Sequence, residues 1–395
     1  MSDFYRIKKL PPYVFNTVNS LKMKLRREGR DIIDFGMGNP DLPTPQFIID
    51  KMKETVDDPK THRYSMSRGI PRLRKAICDY YERNYNLVFD PESEAIVTIG
   101  SKEGLAHLLM AVIEPGDVVI APSPTYPIHS FGTVIAGGHL LNLPMEQGPD
   151  LKKKFFESLK ECYNRTWPKP RTLLVNFPHN PTSTCVDYDF FDHLVKFAKK
   201  RELMIIHDFA YSEIYYDGKR PMSIMEIPGA REVAVEMISC SKSYNMAGWR
   251  VGFIVGNKDM IAAVARLKSY MDYGIFSPIQ VAAVMALDQG DAVAAENRKI
   301  YQARLDCLME GFSRIGWELE RPAGTMFCWA RIPEKFREMK SMEFCKMVMT
   351  EAEVAFSPGI GFGSLGDEYV RIALVENEHR IRQATRNLKK IFKES

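Results

Sequence analysis

The period of the apolar positions changes regularly along this chain. Through most of its length, short runs of consecutive apolar residues alternate with longer segments whose apolar residues recur every three or four positions. The runs at 95–99, 117–121, 139–143, 172–176, 203–207, 232–239 and 251–255 predict buried strands. Helices are predicted over 45–57, 72–85, 152–163, 187–200 and 259–270, and from the turn at Gly100 through Val112. In 72–85, for example, Leu73, Ala76, Ile77 and Tyr80 share one helical face. This alternation predicts an α/β fold whose sheet is mostly parallel and covered by helices on both sides.

The last part of the chain has another texture. A long helical stretch over 280–315 leads to short strands near 317–320, 326–330, 354–356 and 369–373, with helices at 342–352 and 378–392. That mixture predicts a smaller α+β domain. Residues 1–30 are basic and irregular, with a proline-stiffened aromatic piece at 10–15 and a helical stretch up to Arg30. The division is therefore a large domain at 45–285 and a small domain made of 1–44, as an N-terminal arm, with 286–395. No internal repeat or low-complexity segment interrupts it.

Composition narrows the class. At 395 residues the chain can bury a large core, and a net charge of +4 from 54 basic and 50 acidic residues implies neither a nucleic-acid nor a membrane partner. No apolar run approaches the roughly 18 residues of a membrane span, and residues 1–6 lack a signal-peptide pattern. Seven scattered cysteines, odd in number and without a C-x-x-C pair, fit reduced thiols in a cytoplasm and argue against a disulfide framework or a zinc site. No metal is expected.

Polar and glycine-rich stretches cluster just after the strands, where ligands of such sheets gather. The turn Gly100-Ser101-Lys102-Glu103-Gly104 joins a strand to a helix start, a ready anion site, and it is not a Walker motif. Pro122-Ser123-Pro124-Thr125-Tyr126, Phe177-Pro178-His179-Asn180-Pro181-Thr182 and Asp208 with Tyr211 occupy equivalent places. After the strand ending at Ser239 comes Cys240-Ser241-Lys242, with Gly248-Trp249-Arg250-Val251-Gly252 downstream. A lysine there is either solvated or held in a cation-rich pocket as a neutral nucleophile. Cys240 and His207 read as packing residues. The run 357–363 lacks the helix start and acidic residue of a dinucleotide fingerprint.

Ser-x-Ser-Lys followed by Gly-x-Arg-x-Gly resembles the lysine motif of pyridoxal-phosphate (PLP) aminotransferases of fold type I, and further motifs extend the likeness from about Ile33 to Arg382. The resemblance implies that fold, with a mostly parallel seven-stranded sheet in the PLP-binding domain. It implies that Lys242 links covalently to the cofactor aldehyde and later moves the substrate α-proton, with Asp208 on the pyridine nitrogen. Asn180 and Tyr211 would hydrogen-bond the phenolic oxygen, and Tyr126 would stack on the ring. Ser101, Lys102, Ser239 and Arg250 would hold the phosphate, joined by Tyr64 from the other subunit of a homodimer. Arg371 would grip the substrate carboxylate with help from Asn180 and the Gly38 backbone. Tyr13, Phe15 and Tyr126 would select the side chain, with Tyr273 and Phe276 from the partner. One departure is Ser183, where the family often has glycine after Asn-Pro-Thr.

The wording is closest to bacterial alanine (glutamate–pyruvate) aminotransferases, which implies ping-pong transfer from alanine to 2-oxoglutarate. Alternatives are an aminotransferase for diaminopimelate, aspartate or methionine, a carbon–sulfur β-lyase, or an idle binding protein on the same fold.

Overall fold

The computed structural model describes residues 4–393; residues 1–3, within the stretch that reads as lacking a leader, lie outside the described residues. Strand β1 is Ile33–Asp34, and the large sheet is built from β2 (Ala95–Thr98), β3 (Val118–Ser123), β4 (His139–Pro144), β5 (Thr172–Asn176), β6 (Met204–Asp208), β7 (Ala234–Ser239) and β8 (Gly252–Gly256). Their order is β2-β8-β7-β6-β5-β3-β4. All neighbouring pairs are parallel except those of β8, which runs antiparallel to both β2 and β7. The strands β2, β3, β5, β7 and β8 are buried along their whole length, which explains their unbroken apolar runs. Edge strand β4 is only partly buried.

This topology aims the polar residues. The C-terminal ends of β2, β3, β5, β6 and β7 all lie on one rim of the sheet and deliver Gly100, Ser123, Asn176, Asp208 and Ser239 there. Because β8 is antiparallel, its first residue, Gly252, starts at the same rim, opposite Ser239. Arg250, just upstream, therefore arrives where the other strands end.

The smaller sheets are β9 (Phe327–Arg331), β11 (Ser357–Pro358) and β12 (Tyr369–Ala373) in the antiparallel order β11-β12-β9, and β10 (Val354–Ala355) paired in parallel with β1. Around them pack the helices Asp291–Ser313, Ser341–Ala352 and Glu378–Lys393. Their core, including Phe312, Trp317, Phe344 and Phe356, also takes in Phe35 from the N-terminal arm and Tyr211, Ile214 and Tyr216 from the loop after β6. Arg304 locks the arm further, donating to both oxygens of Asp41 at 2.7 Å and to the Leu374 carbonyl at 2.9 Å.

Four expectations differ. The stretch 280–315 is two helices, Ser277–Gln289 and Asp291–Ser313, that meet at Gly290, a position where a Cβ would lie 2.4 Å from the Tyr244 ring. No strand forms at 317–320. Trp317 instead serves as a wedge, stacked on Phe312 and Phe392 with its indole N–H donated to the Arg331 carbonyl at 2.9 Å. Residues 230–233 form a helical turn, and β7 starts only at Ala234. A helix over Pro127–Ala136, absent from the sequence reading, opens on a proline in its first turn and stops at Gly137 with φ +94.

Beneath the sheet, Glu236 is fully buried and accepts hydrogen bonds from the Tyr81 hydroxyl (2.7 Å), the Ser223 hydroxyl (2.7 Å) and the Ile224 N–H (3.0 Å), with His207 Nδ1 at 2.8 Å. Replacing Glu236 by alanine strands these donors away from water. Urea unfolding of Glu236→Ala should show a loss of at least about 3 kcal/mol, with Glu236→Gln recovering part of it. Equal midpoints for Glu236→Ala and the unmodified protein would contradict this account of the core.

Candidate active site

A cavity of about 680 Å³ opens at the rim. Its wall contains Tyr13, Phe15, Gly38, Ser101, Lys102, Tyr126, Asn180, Asp208, Tyr211, Ser239, Lys242, Arg250 and Arg371. Residues separated by hundreds of positions thus meet as the sequence analysis expects. Tyr64 does not join them: it is 86% exposed and packs against Tyr273 with the rings tilted and their centroids 4.6 Å apart. Tyr273 and Phe276 are likewise exposed and lie outside the wall.

Lys242 lies in the helical turn Cys240–Ser243 that follows β7, with the Ser239 side chain accepting from the Ser241 N–H at the turn's start. Its ammonium donates to the Gly38 carbonyl at 2.6 Å. Burial, then Arg371, then Arg250 lower its pKa from 10.5 to about 7. Cys240 points into the core, and burial pushes its thiol up to about 12, in keeping with a packing role.

At the other end of the cavity, Asp208 closes β6. Its carboxylate lies 2.9 Å from His129 Nε2 and accepts from the Ala210 N–H at 3.2 Å, and His129 Nδ1 in turn lies 2.8 Å from the Thr125 hydroxyl. Asn176 joins the neighbouring loops, donating to the Asp208 carbonyl at 2.5 Å and accepting from the Asn180 N–H at 2.8 Å. His129 and Asn176 are the site residues the sequence reading misses. The signal for His129 was its place one turn past Tyr126-Pro127, hidden because that helix was not recognised. His207 is a packing residue, buried between Glu236 and the Phe177 backbone.

Arg371 projects from β12 and is buried. It donates to Asn180 Oδ1 at 2.9 Å and to the Gly36 carbonyl at 3.2 Å, and lies 4.0 Å from the Phe327 ring centre and 4.7 Å from that of Phe362. Gly38 lies beside it, where a Cβ would be 3.6 Å from Arg371 Nη2, and its carbonyl accepts from Lys242. Burial lowers the Arg371 pKa to about 10, and its buried Nε has no hydrogen-bond partner among the described residues. Arg250 takes φ +57 and lays its guanidinium over Gly100, where a Cβ would be 2.2 Å from Nη2. The free N–H groups opening the helix Ser101–Val112 stand beside that guanidinium.

Charge decides what the cavity can hold. Lys102, Lys242, Arg250 and Arg371 face it, while Asp34 is engaged by Lys22 at 2.5 Å and Asp208 by His129. The surplus is positive at both the Gly100–Arg250 end and the Arg371 end. The cavity therefore fits a ligand with a phosphate at one end and a carboxylate at the other. A separate group, Glu103, His107 and Asp272, could resemble a metal site, but the Lys268 ammonium sits among its carboxylates at 3.2 and 2.9 Å.

The sequence profile of the family described as aminotransferase class I and II matches residues 30–388. The chain is 52% identical over 392 residues to a Rhizobium meliloti protein called aminotransferase AatC, whose name states no substrate, spanning 99% of this chain and 96% of that one. It is 51% identical over 390 residues to the glutamate-pyruvate aminotransferase AlaC of Escherichia coli, with 99% and 94% covered. The substrate-bound BacF structure from Bacillus subtilis superposes with a TM-score of 0.92 at 32% identity, covering 99% of this chain and 98% of that chain.

A neutral amine reacts with aldehydes and an ammonium does not, so lowering the pKa from 10.5 to about 7 makes Lys242 reactive at neutral pH. Site-resolved reductive methylation should rise with pH through a midpoint near 7 and then level off. Arg371→Met removes a neighbouring cation and should move that midpoint upward. A Lys242 midpoint near 10.5 would show that the pocket leaves the amine unperturbed.

Proposed function

Because this chain belongs to the class I and II aminotransferases, we propose that it transfers the amino group of L-alanine to 2-oxoglutarate by a ping-pong mechanism, using pyridoxal phosphate held in the rim cavity. One observation carries the reading: a lysine whose pKa is lowered to about 7 and a carboxylate line one cavity whose remaining cations suit a phosphate and a carboxylate. Bound there, pyridoxal phosphate would supply an aldehyde for the amine and a ring that draws electrons from the substrate α-carbon.

The chain's own residues do the rest. Arg250, Ser239 and the Ser101 and Lys102 N–H groups would anchor the phosphate; Asp208, backed by His129, would hold a proton on the ring nitrogen. Burial raises the Tyr211 phenol well above its ordinary range, so it stays protonated and donates, with Asn180, toward the phenolic oxygen. Tyr126 covers the ring face. Arg371, with Asn180 and Gly38 beside it, orients the α-carboxylate, and Lys242 carries the proton to and from the α-carbon. Tyr13 and Phe15 line the cavity mouth, an aromatic surface suited to a small side chain.

The exposed cluster of Tyr64, Tyr270, Met271, Tyr273 and Phe276 supports a homodimer in which Tyr64 completes the partner's phosphate site. Two largely separate apolar cores support a division near 45–285 against 1–44 with 286–395, with Ala286, Leu287 and Ala294 packed in the large core and Tyr211, Ile214 and Tyr216 in the small one. Seven unpaired cysteines support a cytoplasmic setting, and among the described residues no helix is long and apolar enough to cross a membrane.

A second reading, transfer from LL-diaminopimelate, is favoured by relatives of that name, such as the Moorella thermoacetica enzyme at 40% identity over 392 residues. Loading the protein with pyridoxal phosphate and recording which donors convert it to the amine form separates the two. Alanine and glutamate should react well ahead of LL-diaminopimelate, aspartate or methionine, and Arg371→Lys should lower kcat/KM for alanine by roughly 100-fold through loss of the bidentate fork. Preference for LL-diaminopimelate would replace the alanine reading by the second one.

A further inference from the structure

Behind the Arg371 end of the cavity, the loop after Asn180 meets the segment that leads into β9. Ser183 (φ +61) and Thr325 (φ +67) sit face to face there, each in the left-handed region that residues bearing a Cβ, and β-branched ones above all, avoid. Both are buried, at 2% and 0% exposure. The Ser183 hydroxyl lies 2.7 Å from the Thr325 hydroxyl and 2.8 Å from the Phe327 carbonyl, and the Phe327 N–H donates to Thr325 Oγ1 at 3.1 Å.

Each hydroxyl has one proton, so one assignment satisfies all three contacts. Thr325 donates to Ser183, Ser183 donates to the Phe327 carbonyl, and the Phe327 N–H closes the ring on Thr325. Thr325 is also tied into the loop after β6, its N–H bonded to the Ile214 carbonyl at 2.9 Å and its carbonyl to the Tyr216 hydroxyl at 2.7 Å. The cycle therefore clamps both polar groups of the Phe327 backbone to the loops that follow β5 and β6.

Phe327 is the residue on which the carboxylate end rests. Its ring centre lies 4.0 Å from the Arg371 guanidinium carbon and 5.5 Å from the Tyr211 ring centre, and a Cβ on Gly38 would come within 2.7 Å of it. A glycine at 183 would adopt φ +61 without strain but could not hold Phe327. Strain retained at a site's edge, where a strain-free residue exists, points to a role in that site.

We propose that Ser183 is a positioning residue: through its hydroxyl cycle with Thr325 it fixes Phe327 beneath Arg371 and so sets the guanidinium for a substrate carboxylate. The proposal rests on Arg371 being the carboxylate grip described above. The test is propionate, a carboxylate with no carbonyl for Lys242 to attack, titrated by ligand-observed NMR into the full-length protein as purified.

Ser183→Ala, and Ser183→Gly, which also relieves the strain, should each weaken propionate binding roughly five- to tenfold. Pyridoxal phosphate affinity should change less than about twofold, and Thr325→Ser, which keeps the hydroxyl, should bind as the unmodified protein does. Propionate affinities unchanged in both Ser183 variants, or a fall matched by pyridoxal phosphate, would overturn the positioning role. Arg371→Lys separates the two levels. If it leaves propionate binding intact, Arg371 is not the grip and both readings fall; if it abolishes binding while the Ser183 variants do not, only this one does.

Discussion

Crowding of positive charge in a buried space is the constraint around which the molecule is arranged. Lys242, Arg250 and Arg371 share one cavity, and the two carboxylates that line it are already engaged by Lys22 and His129. Such an arrangement is unfavourable in an empty protein, because each cation loses water and repels the others. It becomes favourable when anionic groups arrive. Burial first, and then the same repulsion, makes the lysine a nucleophile, so anion binding and amine reactivity share part of their physical origin.

Holding these charges in place falls to rigid backbone. Six strands end, and one begins, at a single rim, which brings residues from positions 100 to 252 within reach of one ligand. Asn176 links the loops carrying Asp208 and Asn180, while His207 and Glu236 brace the strands underneath. Arg371 comes from a different sheet. Its alignment depends on Gly36 and Phe327 from its own half and, across the junction, on Asn180. Short polar bridges and one aromatic ring therefore join the half that holds the cofactor to the half that reads the substrate.

Much of this was legible in the sequence. Strands covered on both faces read as unbroken apolar runs, so the order of β2 to β8 could be followed almost residue by residue, and the glycine and hydroxyl residues after them marked the rim. What stayed hidden depended on tertiary partners. The strand expected around Trp317 fails because its indole fills a core gap between Phe312 and Phe392. The need for glycine at 290, where the two helices meet, comes from Tyr244, nearly fifty residues away in the chain. His129 and Asn176 act by hydrogen bonds to Asp208 that no local pattern encodes. Ser183 was visible as an odd residue, but its meaning required Thr325 and Phe327 beside it.

The most direct test of the account is chemical. The protein is incubated with pyridoxal phosphate, reduced with borohydride, digested and mapped by mass spectrometry. The account predicts that the phosphopyridoxyl group is found on Lys242 and that Asp208→Ala weakens retention of the cofactor before reduction. A label spread over surface lysines, with Lys242 unmodified, would contradict it.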